Sequence, residues 1–443
     1  MEKQKLKKKL QHKKYWQLPW FWAALLSAVV LMAVGLYQLP VVQNQAYYRA
    51  AQLRARLFYF FNPPAAQAFN PSQQGTLDAG AVATLTALAP TPTATPTPLP
   101  TDAPTPTATV TATATIAPTP LPKSVQLNGI KLELQGFNNC GPTNLAMALS
   151  YWGWKGDQHV TEKILKPRRE DRNVMPYEML DYVQSQTDLM GIVRYGGNLD
   201  LVKQLVAAGF PVVFERGYMD RHEGWMGHYG IITGYDDVKQ EVTIPDSYLG
   251  EIKMSYDDVR MYWAQFDDIY LVIFPVSRSE EVYKILGPQM DEAYNKNFAL
   301  EQVTNRLYQM EGRELFFAWY SRGSILVEMN DYYGASQSFD KAFEVYAALP
   351  EEERPWRITW YQTGPFFAYY YTGRYRDLYD LAKQTLDKTP EDAIPETWVW
   401  LGRAAVALGD REEAVYDFRQ ALFWHPDWWV AKDELIALGE PVD

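Results

Sequence analysis

Cysteine is almost absent. One residue, Cys140, occurs in 443, so no intramolecular disulfide can form and packing alone must hold the fold. Histidine is scarce, with five. No HExxH pair and no Cys/His spacing suited to a metal occurs, so neither a metal nor another cofactor is expected. A Walker-type phosphate loop is missing as well, which excludes a fused nucleotide-driven transporter. Positive charge is short. The net charge is −11, although residues 1–14 hold seven lysines against Glu2, so the rest of the chain is still more acidic. An acidic body excludes a nucleic-acid surface.

Charge is also missing from residues 18–39, LPWFWAALLSAVVLMAVGLYQL. An uncharged apolar run of about 20 residues is long enough to cross a bilayer as a helix. Trp16, Trp20, Trp22 and Tyr37 stand near its ends, where amphipathic rings favour the interface. The lysines in residues 1–17 then form a cytoplasmic tip, and residues 18–40 form a single-pass, uncleaved anchor with everything downstream extracytoplasmic. A cleaved signal would need a shorter apolar region and a small-x-small site. Residues 41–89 read as a stalk, in which AYYRAAQLRARLFYFF predicts a helix ended by Asn62-Pro63-Pro64. Residues 90–122 are Pro/Thr/Ala repeats that cannot bury a core. They read as an extended linker with a reach on the order of 100 Å at about 3.1 Å per residue.

Residues 123–276 mix both periodicities. A strand is predicted over 127–134, a helix over 141–153 with Leu145, Ala148, Leu149 and Trp152 on one face, and helices near 160–166 and 176–185. A short strand follows at 191–195, then a helix from the Asn198 cap to Gly209. The runs PVVFERG, HYGIITGY and QEVTIPD read as strands, followed by a helix near 255–263 and the strand IYLVIF. Helices first and antiparallel strands after define an α+β domain. Residues 281–443 read as all helical with an internal repeat. Trp398, Leu401, Gly402, Gly409, Ala414, Phe418, Ala421 and Pro426 share their spacing with Trp319, Gly323, Ala335, Phe339 and Ala342. A degenerate copy keeps Gly373 and Pro390.

The chemistry concentrates at Asn139-Cys140-Gly141-Pro142, which runs directly into a helix. A thiol at a helix N-terminus meets the positive end of the dipole and free backbone N–H groups, which favour a thiolate. Pro142 suits a first turn, where its missing N–H is not needed. Gln135 is placed to donate its amide to an oxyanion beside the Cys140 backbone N–H. A base must come from elsewhere. His228 opens a strand, and Asp246 ends the next; a hairpin turning at Asp236-Asp237 would set the two side by side. His222, in the loop before His228, is the competing base. Asn139, Trp225 and Met226 are candidates for the substrate cleft.

These residues resemble the C39-like branch of papain-fold cysteine peptidases over roughly Val125 to Val276, about a third of the chain. Gln135, Asn139-Cys140-Gly141-Pro142, Gly227-His228-Tyr229, Gly234-Tyr235-Asp236 and Asp246 carry the resemblance. It implies a papain-like fold with Cys140 as nucleophile, His228 as general base, Asp246 as orienting carboxylate and Gln135 as oxyanion donor. The C-terminal region resembles tetratricopeptide repeats, which bind peptides or proteins. The expectation is a membrane-anchored, extracytoplasmic cysteine peptidase with a peptide or protein substrate and a protein partner on its repeats. Transglutaminase-like acyl transfer, and a silent peptide-binding scaffold, are the alternatives.

Overall fold

The computed structural model describes residues 19–64, 67–72, 120–220 and 224–442. The basic tip, residues 73–119 of the stalk and linker, and His222 lie outside the described residues.

An N-terminal unit ends at Pro63. It holds α1 (Pro19–Tyr37) and α2 (Pro40–Phe61). Pro40 starts α2, where a missing N–H costs nothing. The predicted stop holds: the Asn62 backbone and side chain both donate to the Phe58 carbonyl, and two prolines follow. Helix α1 is 19 residues long and is the one described helix apolar enough to cross a membrane; a signal sequence meets the same criteria.

The second unit spans Pro64–Asp443. Its α+β part contains two antiparallel sheets. The first is ordered β1 (Ser124–Gln126), β5 (Gly234–Asp236), β6 (Glu241–Asp246), β7 (Gly250–Ser255). The second is ordered β2 (Leu189–Arg194), β8 (Tyr270–Pro275), β3 (Val212–Asp220), β4 (Gly224–Ile232). The second sheet is buried on both faces, as the alternation of its strands requires. Val213, Ile231, Leu271 and Ile273 pack against α3 (Cys140–Tyr151) and α5 (Pro176–Gln186). Val212, Phe214, Ile232, Val272 and Phe274 pack the other way, with α6 (Leu199–Ala207) and α7 (Tyr256–Trp263). Helix α4 (Gln158–Leu165) completes the α3 side. Helix α3 is buried without interruption from Gly141 to Leu149, so Leu145 and Leu149 each contribute about 1.5–3 kcal/mol of apolar burial.

Three local expectations are corrected. Residues 127–134 are not a strand. Leu127 makes the last ladder bond, to Thr233, and Gly129 then turns the chain at φ +108°. Thereafter Lys131 and Glu133 donate their backbone N–H to Ser150 Oγ and Met147 Sδ of α3. Side chains of a helix thus take the place of a neighbouring strand. Strand β7, between the third predicted strand and α7, was not anticipated. Its alternation runs between half-buried and exposed, as expected of a sheet edge. Strands β3 and β4 also extend beyond their predicted ends, to Asp220 and from Gly224, so His228 lies mid-strand rather than opening one.

Helix α8 (Ser279–Leu286) inserts Val282 and Leu286 into the α+β core rather than into the repeats. The helical array follows from α9 (Glu292–Arg306) through α10 (Gly312–Glu328), α11 (Tyr332–Ala348), the single turn α12 (Ile358–Tyr361), α13 (Gly364–Tyr371), α14 (Tyr375–Asp387), α15 (Pro395–Leu408), α16 (Arg411–Trp424) and α17 (Trp429–Ala437). The repeat spacing has a direct cause. A Cβ on Gly323 would lie 2.7 Å from the Phe339 ring, and one on Gly402 2.6 Å from Phe418. In each pair of helices, glycine lets the aromatic of the partner helix approach the backbone.

Two features join this unit together. The repeats lie directly on the α+β part: Gln362 Nε2 donates to the Gln265 carbonyl at 2.8 Å, and Arg306 pairs with Asp268 at 2.5 Å. Residues 67–72 also pack on the repeats. Phe69 is buried against Phe343, with ring centroids 5.0 Å apart, and the Ser72 N–H donates to Asp377 at 2.8 Å.

Candidate active site

Cys140 is the first residue of α3, and Asn139 precedes it as a fully buried N-cap. The loop before it is fixed by one side chain from α4. Gln158 Oε1 accepts from the Gly136 N–H at 2.7 Å, Asn139 Nδ2 at 3.0 Å and Thr143 Oγ1 at 3.1 Å. Lys166 supports the same loop from beneath. It is 1% exposed and donates Nζ to the carbonyls of Phe137 and Arg169 at 3.1 and 2.9 Å. Burial pulls its pKa down to about 8.

The expected hairpin forms, β5 against β6 with its turn at residues 237–240, and brings His228 and Asp246 together, but only the end of the first predicted strand takes part in it. β4 and β6 belong to different sheets, and the chain passes from one to the other at Thr233. His228 Nε2 lies 3.1 Å from both Asp246 oxygens. Nε2–H is therefore the donor to Asp246, and Nδ1 is the nitrogen left for the thiol. Burial pushes the Cys140 thiol up, but its hydrogen bond with His228, the imidazolium charge, the Tyr229 backbone N–H and Lys166 hold it below the ordinary thiol value. Burial pulls His228 down, and Asp246 together with the Cys140 hydrogen bond overcomes this and raises it. Asp246 is fully buried; the desolvation that would raise its pKa is outweighed by His228, Arg216 and the Leu249 N–H, so it stays ionised well below the usual carboxylate range.

Gln135 is tied to the same site. Its Oε1 accepts from Ser247 Oγ at 2.7 Å, and its backbone N–H donates to the Ser247 carbonyl at 2.7 Å. With its oxygen engaged, the amide NH2 is the end left for an incoming acceptor.

Sequence reasoning missed four contributors. Arg216, 1% exposed, donates Nη2 to Asp246 at 2.8 Å. An arginine inside the apolar run PVVFERG was the available signal, because a buried guanidinium requires a carboxylate. Asn144, one turn along α3, donates to the Cys140 carbonyl, the Tyr229 carbonyl and Ser247 Oγ, which welds the helix to β4 and to the residue after Asp246. Tyr218 and Tyr248 flank the imidazole, with centroids 6.0 and 6.4 Å from it.

Two of the cleft candidates are placed differently from expectation. Trp225 is not a cleft wall. It is 2% exposed, stacked on Phe266 at 5.8 Å and covered by Phe317 of α10 at 5.3 Å. The two-residue period of β4 turns Trp225 and Gly227 toward the repeats and leaves Met226, half-buried, on the His228 face. Asn139 is a buried cap rather than an accessible wall. Among the described residues, no group of three or more His, Cys, Asp or Glu side chains is arranged to hold a metal.

Residues 120–274 match the Peptidase_C39 like family, and residues 318–348 and 395–426 match the tetratricopeptide repeat. Similar solved structures include a C39-like protein from Bacillus anthracis, 17% identical, covering 34% of this chain and 96% of its own, with a TM-score of 0.28. A double glycine motif protease from an AMS/PCAT transporter, in complex with its leader peptide, is 18% identical over 35% of this chain and 93% of its own, at 0.24. Xylellain, a cysteine protease from Xylella fastidiosa, is 14% identical over 35% and 87%, at 0.27. No curated protein matches the chain. The α+β part has the C39-like cysteine-peptidase fold, and the helices after it carry tetratricopeptide repeats.

Proposed function

We propose that this protein is a cysteine peptidase, anchored by its N-terminal helix with residues 123–443 on the extracytoplasmic side. The observation that carries the reading is the convergence of three elements on one thiol. Cys140 starts a buried helix, His228 bonds to it from β4, and Asp246 at the end of β6 holds the far nitrogen of the imidazole.

The chemistry follows from that arrangement. The Cys140 thiolate attacks the carbonyl carbon of a peptide bond, and the carbonyl oxygen becomes an oxyanion. The backbone N–H of Cys140 and the free amide of Gln135 serve as the oxyanion hole. The imidazolium of His228 gives its Nδ1 proton to the departing amine as the C–N bond breaks, which leaves a thioester on Cys140. Neutral His228 then takes a proton from water, whose oxygen attacks the thioester and releases the acid and the thiolate. Asp246 fixes the tautomer and steadies the positive ring throughout.

Anchoring rests on the uncharged apolar helix α1 and on the lysines before it, which the positive-inside rule keeps in the cytoplasm. The repeats supply a protein- or peptide-binding surface beside the site. The deciding experiment treats the full chain with a peptide-like, thiol-directed electrophile and maps the label, then compares hydrolysis of a peptide library by wild type and Cys140→Ala. Labelling at Cys140 and loss of hydrolysis in the variant support the reading. Hydrolysis that survives the substitution overturns it.

A further inference from the structure

Between the α+β part and the inner face of the repeats lies a cleft of about 730 Å³. Tyr177 and Phe266 line it from one side and Tyr361, Phe367, Trp400 and Trp428 from the other. Its charges do not balance. Two cations line it, and both are engaged: Arg403 Nε pairs with Glu434 at 2.6 Å, and Lys296 Nζ donates to the Glu328 carbonyl at 2.8 Å. Four lining carboxyls, Glu215, Asp267, Glu396 and Asp433, have no Lys or Arg within ion-pair distance among the described residues.

Glu396 is the most telling of them. It is only 7% exposed, it faces this cleft, and its Oε2 has no hydrogen-bond partner among the described residues. Asp267 Oδ1 is buried in the same condition. A buried, unpartnered carboxyl oxygen is costly and calls for a partner, such as water, an ion or a ligand group. Burial, with Asp171 and Glu178 nearby, holds Glu396 well above the usual carboxylate range, and a cation beside it would favour its charged form. Aromatic faces beside unpaired carboxyls suit an ammonium or guanidinium group, through cation–π contact and charge-assisted hydrogen bonds. The cleft also reaches toward the chemistry: Tyr361, which lines it, packs against Gly227, the residue before His228.

We propose that this cleft binds lysine or arginine side chains of the polypeptide on which Cys140 acts, with Glu396 and Asp267 as their counter-charges. The words "on which Cys140 acts" rest on the peptidase reading above; the binding of a basic peptide does not.

The test uses the full chain carrying Cys140→Ala, which binds without turnover. Intrinsic tryptophan fluorescence follows its titration with two acetylated, amidated heptapeptide pools of uncharged residues, one with a central lysine and one with a central norleucine. The lysine pool is expected to bind at least about tenfold more tightly, the worth of one hydrogen bond to a charged group. Adding Glu396→Gln or Asp267→Asn, both isosteric, is expected to reduce that advantage and to leave norleucine binding unchanged. Arginine amide should displace the lysine pool from the unaltered cleft, where no further variant has to fold. Equal affinity for the two pools overturns the proposal, as does an advantage that persists in both variants. If the lysine pool binds as described and the wild type cleaves nothing, the peptidase reading fails and the cleft stands.

Discussion

Arg216 and His228 face each other in register across the β3–β4 ladder, and both side chains end on the same carboxylate, Asp246. Asp246 is thus held from two directions at once, with the Tyr248 and Leu249 N–H groups closing a third at 2.8 and 2.9 Å. The imidazole inherits its orientation from a group that cannot turn.

Removing Arg216 should therefore do more than delete a surface charge. Arg216→Met leaves Asp246 buried with one partner fewer. Breaking a buried pair from one side costs about 3–5 kcal/mol. Denaturant unfolding of the variant should show a loss of that size, and peptide turnover should fall with it.

The thiol and the imidazole set the pH response. Cys140 titrates below, and His228 above, their ordinary values. At low pH the thiolate takes up a proton, and at high pH the imidazolium loses one, so the reactive ion pair fills the window between. Turnover against pH should be bell-shaped. In His228→Ala the alkylation rate of Cys140 should become a single step displaced to higher pH, because the main influence lowering the thiol is gone. An alkylation profile that does not move would disconnect the two residues.

Gln135 should separate binding of the oxyanion from reactivity of the thiol. Gln135→Ala is expected to slow turnover by the equivalent of about 2–4 kcal/mol. Alkylation of Cys140, which forms no oxyanion, should stay near the wild-type rate. Asp246→Asn should slow turnover less than His228→Ala does, since an amide keeps a hydrogen bond to the ring and loses only the charge.

Buried acids should make stability decline with rising pH. Burial pushes Glu178 and Asp267 each up to about 8. A group whose folded pKa exceeds its unfolded value, near 4, stabilises fully below that unfolded value and loses the contribution as pH climbs through the folded one. The melting temperature should therefore drop between about pH 4 and pH 8. Asp267→Asn should flatten that drop.

The segment 67–72 should behave as part of the repeat domain. A 64–443 fragment is expected to melt higher than 123–443, and Phe69→Ala within 64–443 should recover most of the difference, at about 3–5 kcal/mol for a buried Phe. Equal melting of the two fragments would mean that Phe69 adds nothing.

What the sequence by itself determined is local. Cys140-Gly141-Pro142 starts a helix because of backbone chemistry within four residues. An uncharged run starting near residue 18 makes a helix because nothing in it opposes one, and it becomes α1. Gly323 and Gly402 mark the repeats because each must admit an aromatic ring sixteen residues later. The pairing of His228 with Asp246 was legible from the order of strands, although the sheets that hold them are different ones. Tertiary structure alone decided the rest. Alternation in 127–134 looked like a strand, but no strand lies beside it; α3 does, and its side chains take the backbone bonds. Trp225 had the exposed setting of a loop residue until α10 covered it. Phe69 belongs to Phe343, and Arg216 to Asp246. In each case the partner that fixes the residue is distant along the chain, and a local pattern carries no record of what will arrive from that distance.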